Sequence, residues 1–146
     1  MQVDRSIDIS RPIDEVFAFV ADARNDPLWC ANVLSTVQYA GDGPGPGARY
    51  TAVHRPRPQY PPRELAVECV GWSPPQRIEW HQNDGIDEIQ VAYNLLDLGG
   101  TTRLAQSSLV RQAMPQRLRP TMRHAMGPDV ERQLMALKQL LEDRPG

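Results

Sequence analysis

The sequence has no long apolar run and no excess of one charge, and each absence excludes a class of protein. No window of the 146-residue chain approaches the roughly 18 apolar residues of a membrane-spanning helix, so membrane insertion is not expected. The N-terminus is charged early and has no apolar segment of a signal peptide, which favours a cytoplasmic location. The net charge of −2 argues against a nucleic-acid partner, because such proteins usually present a basic face.

Cysteine and histidine are scarce, with two and three residues respectively. Cys30 and Cys69 have no CxxC spacing and no histidine cluster nearby, so we expect two free, buried thiols in a reducing compartment. The sequence also lacks the motifs of serine hydrolases, nucleotide-binding loops and zinc proteases. No metal and no cofactor are therefore predicted.

In the N-terminal quarter of the chain, the spacing of apolar residues changes from every second residue, as in a strand, to about every 3.6 residues, as in a helix. Apolar and polar residues alternate up to Ile9, as in a half-buried strand. Apolar residues then recur at i, i+3, i+4 and i+7 from Ile13 to Val20, after Pro12, a residue that suits a first helical turn. A second, short helical turn is predicted at Asn25–Trp29.

The middle of the chain has the pattern of strands separated by turns. Near its end, apolar residues again recur at the spacing of a helix. Six strands are predicted, at residues 33–40, 49–55, 63–72, 77–82, 88–96 and 102–110. A helix is predicted from Met114 onwards, with an apolar stripe formed by Met122, Met126, Val130, Leu134, Leu137 and Leu141. The stripe keeps its register across Gly127 and Pro128, so we expect a kink there rather than an end.

This order of elements predicts one α+β domain over residues 1–146 with an antiparallel sheet. Seven strands coil strongly, and a long helix in the concave face cannot touch all of them. We therefore expect an apolar space between the helix and the sheet, which is a common location for a ligand.

Several phrases resemble the START-like or SRPBCC superfamily, which includes birch-pollen-allergen-like proteins and polyketide cyclases/dehydrases. They are Ile7–Asp22, Asn25–Trp29, Gly47–Tyr50, Trp72–Trp80 and Gly99–Leu104. The resemblance spans nearly the whole chain and implies a helix-grip fold, in which a seven-stranded sheet wraps around the C-terminal helix. It also implies a pocket for a lipid-like or polyketide-like molecule. The Pro-rich segment 56–62 and the Gly127–Pro128 pair depart from the family pattern and leave the pocket volume open.

Residues on the inward parities are the candidates for ligand contact, with ordinary core packing as the alternative for each. They are Trp29, Tyr50, Trp80, Val91, Gln106, Ser108, Met122 and Met126. The aromatic residues would supply apolar wall and one polar atom each. A hydrophobic small molecule is the expected partner, and a homodimer is left open.

A second hypothesis is that the protein is an enzyme. His54 shares a face with Tyr50, and its ordinary pKa of about 6.5 suits general acid–base work. Cyclisation or dehydration of a polyketide-like chain requires such proton transfers, with Tyr93 as an orienting group. A third reading is an accessory protein without a ligand, which would show an exposed apolar patch instead.

Overall fold

Seven strands and one long helix make up most of the computed structural model, which describes residues 2–55, 58–85, 87–112 and 119–145. For Gln112 and residues 119–125 it describes the backbone alone. The elements are β1 (Gln2–Ile9), α1 (Ile13–Val20), a 3-10 turn (Ala23–Asn25), α2 (Asp26–Trp29), β2 (Val33–Ala40), β3 (Arg49–His54), β4 (Arg63–Ser73), β5 (Arg77–Asn83), β6 (Asp87–Asp97), β7 (Thr102–Gln112) and α3 (Arg119–Glu142).

The strands form a single antiparallel sheet in the order β1-β7-β6-β5-β4-β3-β2. The α+β class and the helix-grip arrangement are therefore confirmed. Strands β4 to β7 extend one or two residues beyond their predicted limits, because terminal residues continue the ladder beyond the alternating pattern, whereas β3 ends one residue before its predicted limit. The predicted start of the last helix at Met114 lies outside the described residues.

The C-terminal helix buries the predicted apolar stripe against the sheet. Val130, Leu134, Leu137 and Leu141 are buried and Met126 is partly buried, while the side chain of Met122 lies outside the described residues. The helix continues across Gly127 and Pro128 without ending, as predicted. None of the described helices is long and apolar enough to cross a bilayer.

Polar contacts fix the end of α3 against the junction of β1 and α1. Arg11 Nε donates to the backbone oxygen of Leu141 at 2.7 Å, which satisfies a carbonyl in the last helical turn. Lys138 Nζ donates to the backbone oxygen of Asp8 at 2.7 Å, and the carboxylate of Glu142 accepts from the backbone N–H of Ser10 at 2.8 Å. This end of the helix is therefore anchored to the sheet.

Arg5 interrupts the apolar parity of β1, and the structure shows where its side chain lies. Its Nε donates to Glu131 on α3 at 2.8 Å, and its guanidinium crosses the helix at Gly127. A Cβ at Gly127 would lie only 2.5 Å from Arg5 Nη2. Glycine at this position therefore makes room for a charged side chain that passes over the helix.

Candidate ligand-binding site

The concave face of the sheet carries mostly apolar side chains from the five strands β3 to β7. Strand parity directs alternate residues inward, and directly paired residues on neighbouring strands share a face. The buried members are Tyr50, Ala52, Leu65, Val67, Cys69, Ile78, Trp80, Val91, Tyr93, Leu95, Thr102, Leu104, Gln106, Ser108 and Val110. This wall faces α3 and the short helices.

Two edge-to-face aromatic contacts organise the wall. Trp29 of α2 meets Tyr93 of β6 with ring centroids 6.1 Å apart, and Tyr50 of β3 meets Trp80 of β5 at 5.9 Å. Such pairs add about 0.5–1.5 kcal/mol beyond the burial of their area. They hold four large side chains in defined positions on the concave side.

Six buried side-chain atoms among the described residues have no hydrogen-bond partner. They are Trp29 Nε1, Thr36 Oγ1, Tyr50 Oη, His54 Nε2, Asp87 Oδ1 and Gln106 Oε1. Five lie at inward positions of their strands, as the pairing of Thr36 with Ala52 illustrates, and Trp29 points to Tyr93. All six atoms therefore belong to the concave side of the sheet.

Gln106 and Ser108 bring polar atoms into the centre of this wall. They neighbour each other on the inward face of β7, and Gln106 Nε2 donates to Ser108 Oγ at 3.3 Å. Gln106 is opposite Tyr93, and Ser108 is opposite Val91, on β6. The amide oxygen of Gln106 is then left to accept a hydrogen bond from another molecule.

A carboxyl group on α2 lies beside the same wall. Asp26, Trp29 and Cys30 are spaced i, i+3 and i+4, so they share one side of this turn, and Trp29 contacts Tyr93. Burial, and secondarily the charge of Asp22, raises the pKa of the Asp26 carboxyl to about 8. Part of Asp26 nevertheless remains accessible.

The two nearby tyrosines are neutral donors rather than bases. Burial raises the pKa of Tyr50 to about 12. Burial also raises the pKa of Tyr93 well above its ordinary value, with smaller effects from Cys30 and Asp26. Both phenols can therefore donate a hydrogen bond over the physiological range, but neither ionises there.

Residues 1–142 match the model of a protein family described as polyketide cyclase / dehydrase and lipid transport. The chain belongs to this family. A comparison with curated proteins finds no match.

Solved structures show the same fold for this family member. The Zhui aromatase/cyclase from Streptomyces is 13% identical with a TM-score of 0.81, over 99% of this chain and 94% of that one. A Thermus thermophilus protein is 18% identical with a TM-score of 0.79, over 99% and 100% of the two chains. A START superfamily protein from Mycobacterium smegmatis is 15% identical with a TM-score of 0.72, over 97% of each. At these identities the likeness concerns the fold alone.

The structure brings most of the predicted site residues of this family member into one patch. Trp80, Val91 and Ser108 are in one register row across three strands, and Tyr93 and Gln106 form the next row. Trp29 and Tyr50 belong to the same patch, because Trp29 contacts the ring of Tyr93 and Tyr50 contacts the ring of Trp80. Met126 is partly buried against the core, and the side chain of Met122 is not among those described. Their contact with a ligand stays a prediction.

His54 lies apart from this patch. It pairs with Arg63 near the start of β4, whereas Tyr93 pairs with Ile78, which in turn pairs with Trp72. Arg63 and Trp72 are nine residues apart, which corresponds to about 30 Å along a strand. The structure therefore does not bring His54 and Tyr93 together, and any chemistry at His54 would need other partners.

The surroundings of His54 are charged. Arg63 and Asp84 form an ion pair at 3.2 Å, and the backbone N–H of Asp87 donates to Asp84 Oδ1 at 2.8 Å. Burial lowers the pKa of His54, partly opposed by Asp84, and burial raises the pKa of Asp87. His54 is thus kept neutral near physiological pH.

A groove of about 250 Å³ lies on the outer face of the sheet, opposite to the predicted pocket. Arg77 on its floor donates to Asn94 at 2.6 Å and to Glu79 at 2.9 Å. Because these polar groups already bond to one another, the groove offers few free partners to a ligand. It differs from the apolar space predicted behind the sheet.

Asp26 is the residue that the sequence reasoning missed. It lies within the quoted phrase Asn25–Trp29, where an acidic side chain at the start of a short helix is typical of a favourable dipole interaction. The useful signal was its spacing of three from Trp29, which places both residues on one side of a turn. Its enclosure depends on the packing of α2 against β2 and α3, which no local pattern reports.

Proposed function

We propose that this protein binds a hydrophobic small molecule between the concave face of the sheet and the helices. The observation that carries the proposal is a group of three unpartnered buried polar atoms in this patch among the described residues, Trp29 Nε1, Tyr50 Oη and Gln106 Oε1, on a mostly apolar wall. The family description, which includes lipid transport and polyketide cyclases, supports this class of ligand.

The energetics favour an occupant that supplies hydrogen bonds. A buried donor or acceptor without a partner costs about 1–3 kcal/mol, so native proteins leave few of them. Here donors from Trp29 and Tyr50 and an acceptor from Gln106 face the same side. A molecule with an apolar body and a few oxygen atoms would satisfy them, as ligands do in apolar pockets with few polar groups.

A pair of neighbouring serines allows a matched test. Ser108 faces inward beside Val91, whereas Ser107 lies on the outer face and accepts from Gln2. Ser108→Phe would fill the inner space, and Ser107→Phe adds the same volume on the other side. We expect saturable enhancement of anilinonaphthalene sulfonate fluorescence for the wild type and Ser107→Phe, and its loss for Ser108→Phe. Circular dichroism establishes that both variants are folded.

Equal probe binding by the two folded variants would place the hydrophobic site elsewhere and refute the proposal. Native mass spectrometry of the wild type from its own source gives a second readout. A retained small molecule that is missing from Ser108→Phe would identify the ligand class directly.

A second candidate function is proton transfer of the cyclase/dehydrase type at His54. Its Nε2 is buried without a partner, and burial keeps the imidazole neutral and able to accept a proton. The register separation from Tyr93 means that His54 would act with the charged groups at its own end of the sheet. Unchanged turnover of an identified substrate by His54→Ala would exclude this role.

A further inference from the structure

Strand β2 is one of the two edges of the sheet, and no strand among the described residues pairs with its free side. An edge strand presents unpaired backbone N–H and C=O groups, which proteins usually protect with charged residues, proline or a covering segment. The segment Val33–Ala40 contains no charged residue and no proline. The 3-10 turn and α2 pack against it, yet four of its eight residues are exposed. β2 is therefore open to pairing with another strand.

The opposite edge, β1, has the protection that β2 lacks. Its exposed residues include Asp4, Arg5 and Asp8, and α3 packs along this strand. Lys138 Nζ of α3 also donates to the backbone oxygen of Asp8 at 2.7 Å. Charge and the neighbouring helix therefore disfavour the addition of a strand at β1, and the two edges of one sheet differ in their capacity to pair.

The outer face of β2 carries large apolar side chains. Gln38 faces inward, because it is opposite the buried Tyr50, so the alternation of a strand directs Val37 and Tyr39 outward. Val37 is 64% exposed and Tyr39 is 60% exposed. An edge strand with free backbone groups and adjacent exposed apolar side chains has both components of a strand-addition interface.

We propose that two copies of this chain associate through their β2 strands, which pair antiparallel across a twofold axis and join the two sheets into one. The axis passes through Val37, so that this residue lies opposite Val37 of the second copy. Pairing uses both β2 edges and leaves only the protected β1 edges, so the assembly closes as a dimer. This inference does not rest on the binding of a small molecule.

The register follows from strand parity. Residues directly opposite each other in an antiparallel pair point to the same face, so the axis passes through a residue rather than between two. An axis between Thr36 and Val37 would set an inward side chain against an outward one. These two residues are nearest the middle of β2. Only an axis at Val37 sets apolar side chains together, with Val37 opposite its copy and Tyr39 of the second copy on the diagonal.

The charges at the two ends of β2 also suit a second copy of the same chain. The backbone N–H of Arg55 donates to the backbone oxygen of Asn32 at 2.8 Å, just before the strand begins, and Asp42 follows its end. Both Arg55 and Asp42 are exposed, while Arg49 near the same end is paired with Glu68 at 3.5 Å. Antiparallel pairing brings the start of one strand beside the end of the other. Opposite charges therefore meet at both ends, which favours this orientation.

Sedimentation velocity of the full chain over a range of concentrations tests the association. Interfaces smaller than about 1,200 Å² are typical of transient complexes, so we expect for this single strand pair a Kd of about 10–100 µM. The mass should rise from that of one chain, 16.4 kDa, towards twice that value as the concentration passes through the Kd.

One pair of substitutions separates the edge from the rest of the outer surface. Val37→Lys sets two like charges directly opposite each other and should weaken association at least about 10-fold. Val70→Lys makes the same change at a residue that is 55% exposed but lies on β4, inside the sheet, and it should dimerise as the wild type does. Circular dichroism establishes that both variants are folded.

A cysteine at the axis tests the register. Opposite residues of an antiparallel pair have Cα atoms about 4.5–5.5 Å apart, which is within the range of a disulfide. Oxidation of Val37→Cys by copper phenanthroline should therefore give a covalent dimer on a non-reducing gel. Val70→Cys, which is equally accessible, should remain monomeric on the same gel.

Each outcome bears on the proposal. A wild-type protein that stays monomeric at all concentrations overturns it, and equal association of Val37→Lys and Val70→Lys would place the interface elsewhere and overturn it as well. A Val37→Cys protein that dimerises without cross-linking contradicts the register. Loss of association in Val37→Lys alone, together with selective cross-linking of Val37→Cys, supports the dimer.

Discussion

The protonation of Asp26 should be visible in the stability of the protein without any ligand. Burial raises the pKa of this carboxyl from 3.8 to about 8, so the folded state binds a proton that the unfolded chain releases near pH 4. The stability that this carboxyl contributes is fully present below its pKa in the unfolded chain. That contribution is lost as the pH rises towards its folded-state pKa of about 8. Asp26→Asn removes the titration while keeping a side chain of similar size.

The magnitude follows from the linkage between proton binding and folding. Each pH unit between the two pKa values changes the free energy of unfolding by about 1.4 kcal/mol. Between pH 5 and pH 7 the wild type should therefore lose about 2–3 kcal/mol relative to Asp26→Asn. Other titrating groups are common to both proteins and cancel in the comparison.

Urea denaturation followed by tryptophan fluorescence gives the free energy of unfolding of both proteins at pH 5 and pH 7. The double difference is the change between the two pH values in the wild type minus the same change in Asp26→Asn. Comparable slopes of free energy against urea are needed for the comparison. Asp14→Asn serves as the control for loss of an exposed carboxylate. A double difference below about 0.5 kcal/mol would refute the raised pKa of Asp26.

Three further substitutions test the fold. Gly71→Ala should destabilise the protein by about 1–3 kcal/mol in chemical denaturation, because its Cβ would lie 2.7 Å from Glu79 Cβ; an unchanged midpoint would contradict this contact. Leu137→Ala, at a fully buried position of α3, should cost about 2–5 kcal/mol in the same assay, and a loss under 1 kcal/mol would mean that the helix is not packed as described. Gly127→Ala should stabilise the Arg5→Ala variant by about 1 kcal/mol but should not stabilise the wild type, because its Cβ would clash with the Arg5 side chain. Equal gains in the wild type and in Arg5→Ala would exclude this clash.

Arg5 and His54 illustrate where sequence reasoning stops. The sequence shows that Arg5 interrupts the apolar parity of the first strand, but only the structure shows that its side chain crosses α3 at Gly127 to reach Glu131. Parity put His54 on the face of Tyr50. Parity could not give the distance between His54 and Tyr93, because that distance depends on the register of four strands.

The sequence by itself determined the order of strands and helices, the parity of the inward residues and the family resemblance. Those properties depend on local periodicity and on turn residues, which act over a few positions. Only the tertiary structure decided that Trp29 meets Tyr93, that burial raises the pKa of Asp26, and that six polar atoms of the described residues lie unpartnered on one face. Burial and hydrogen-bond satisfaction depend on side chains that are distant along the chain, and folding alone brings those side chains together.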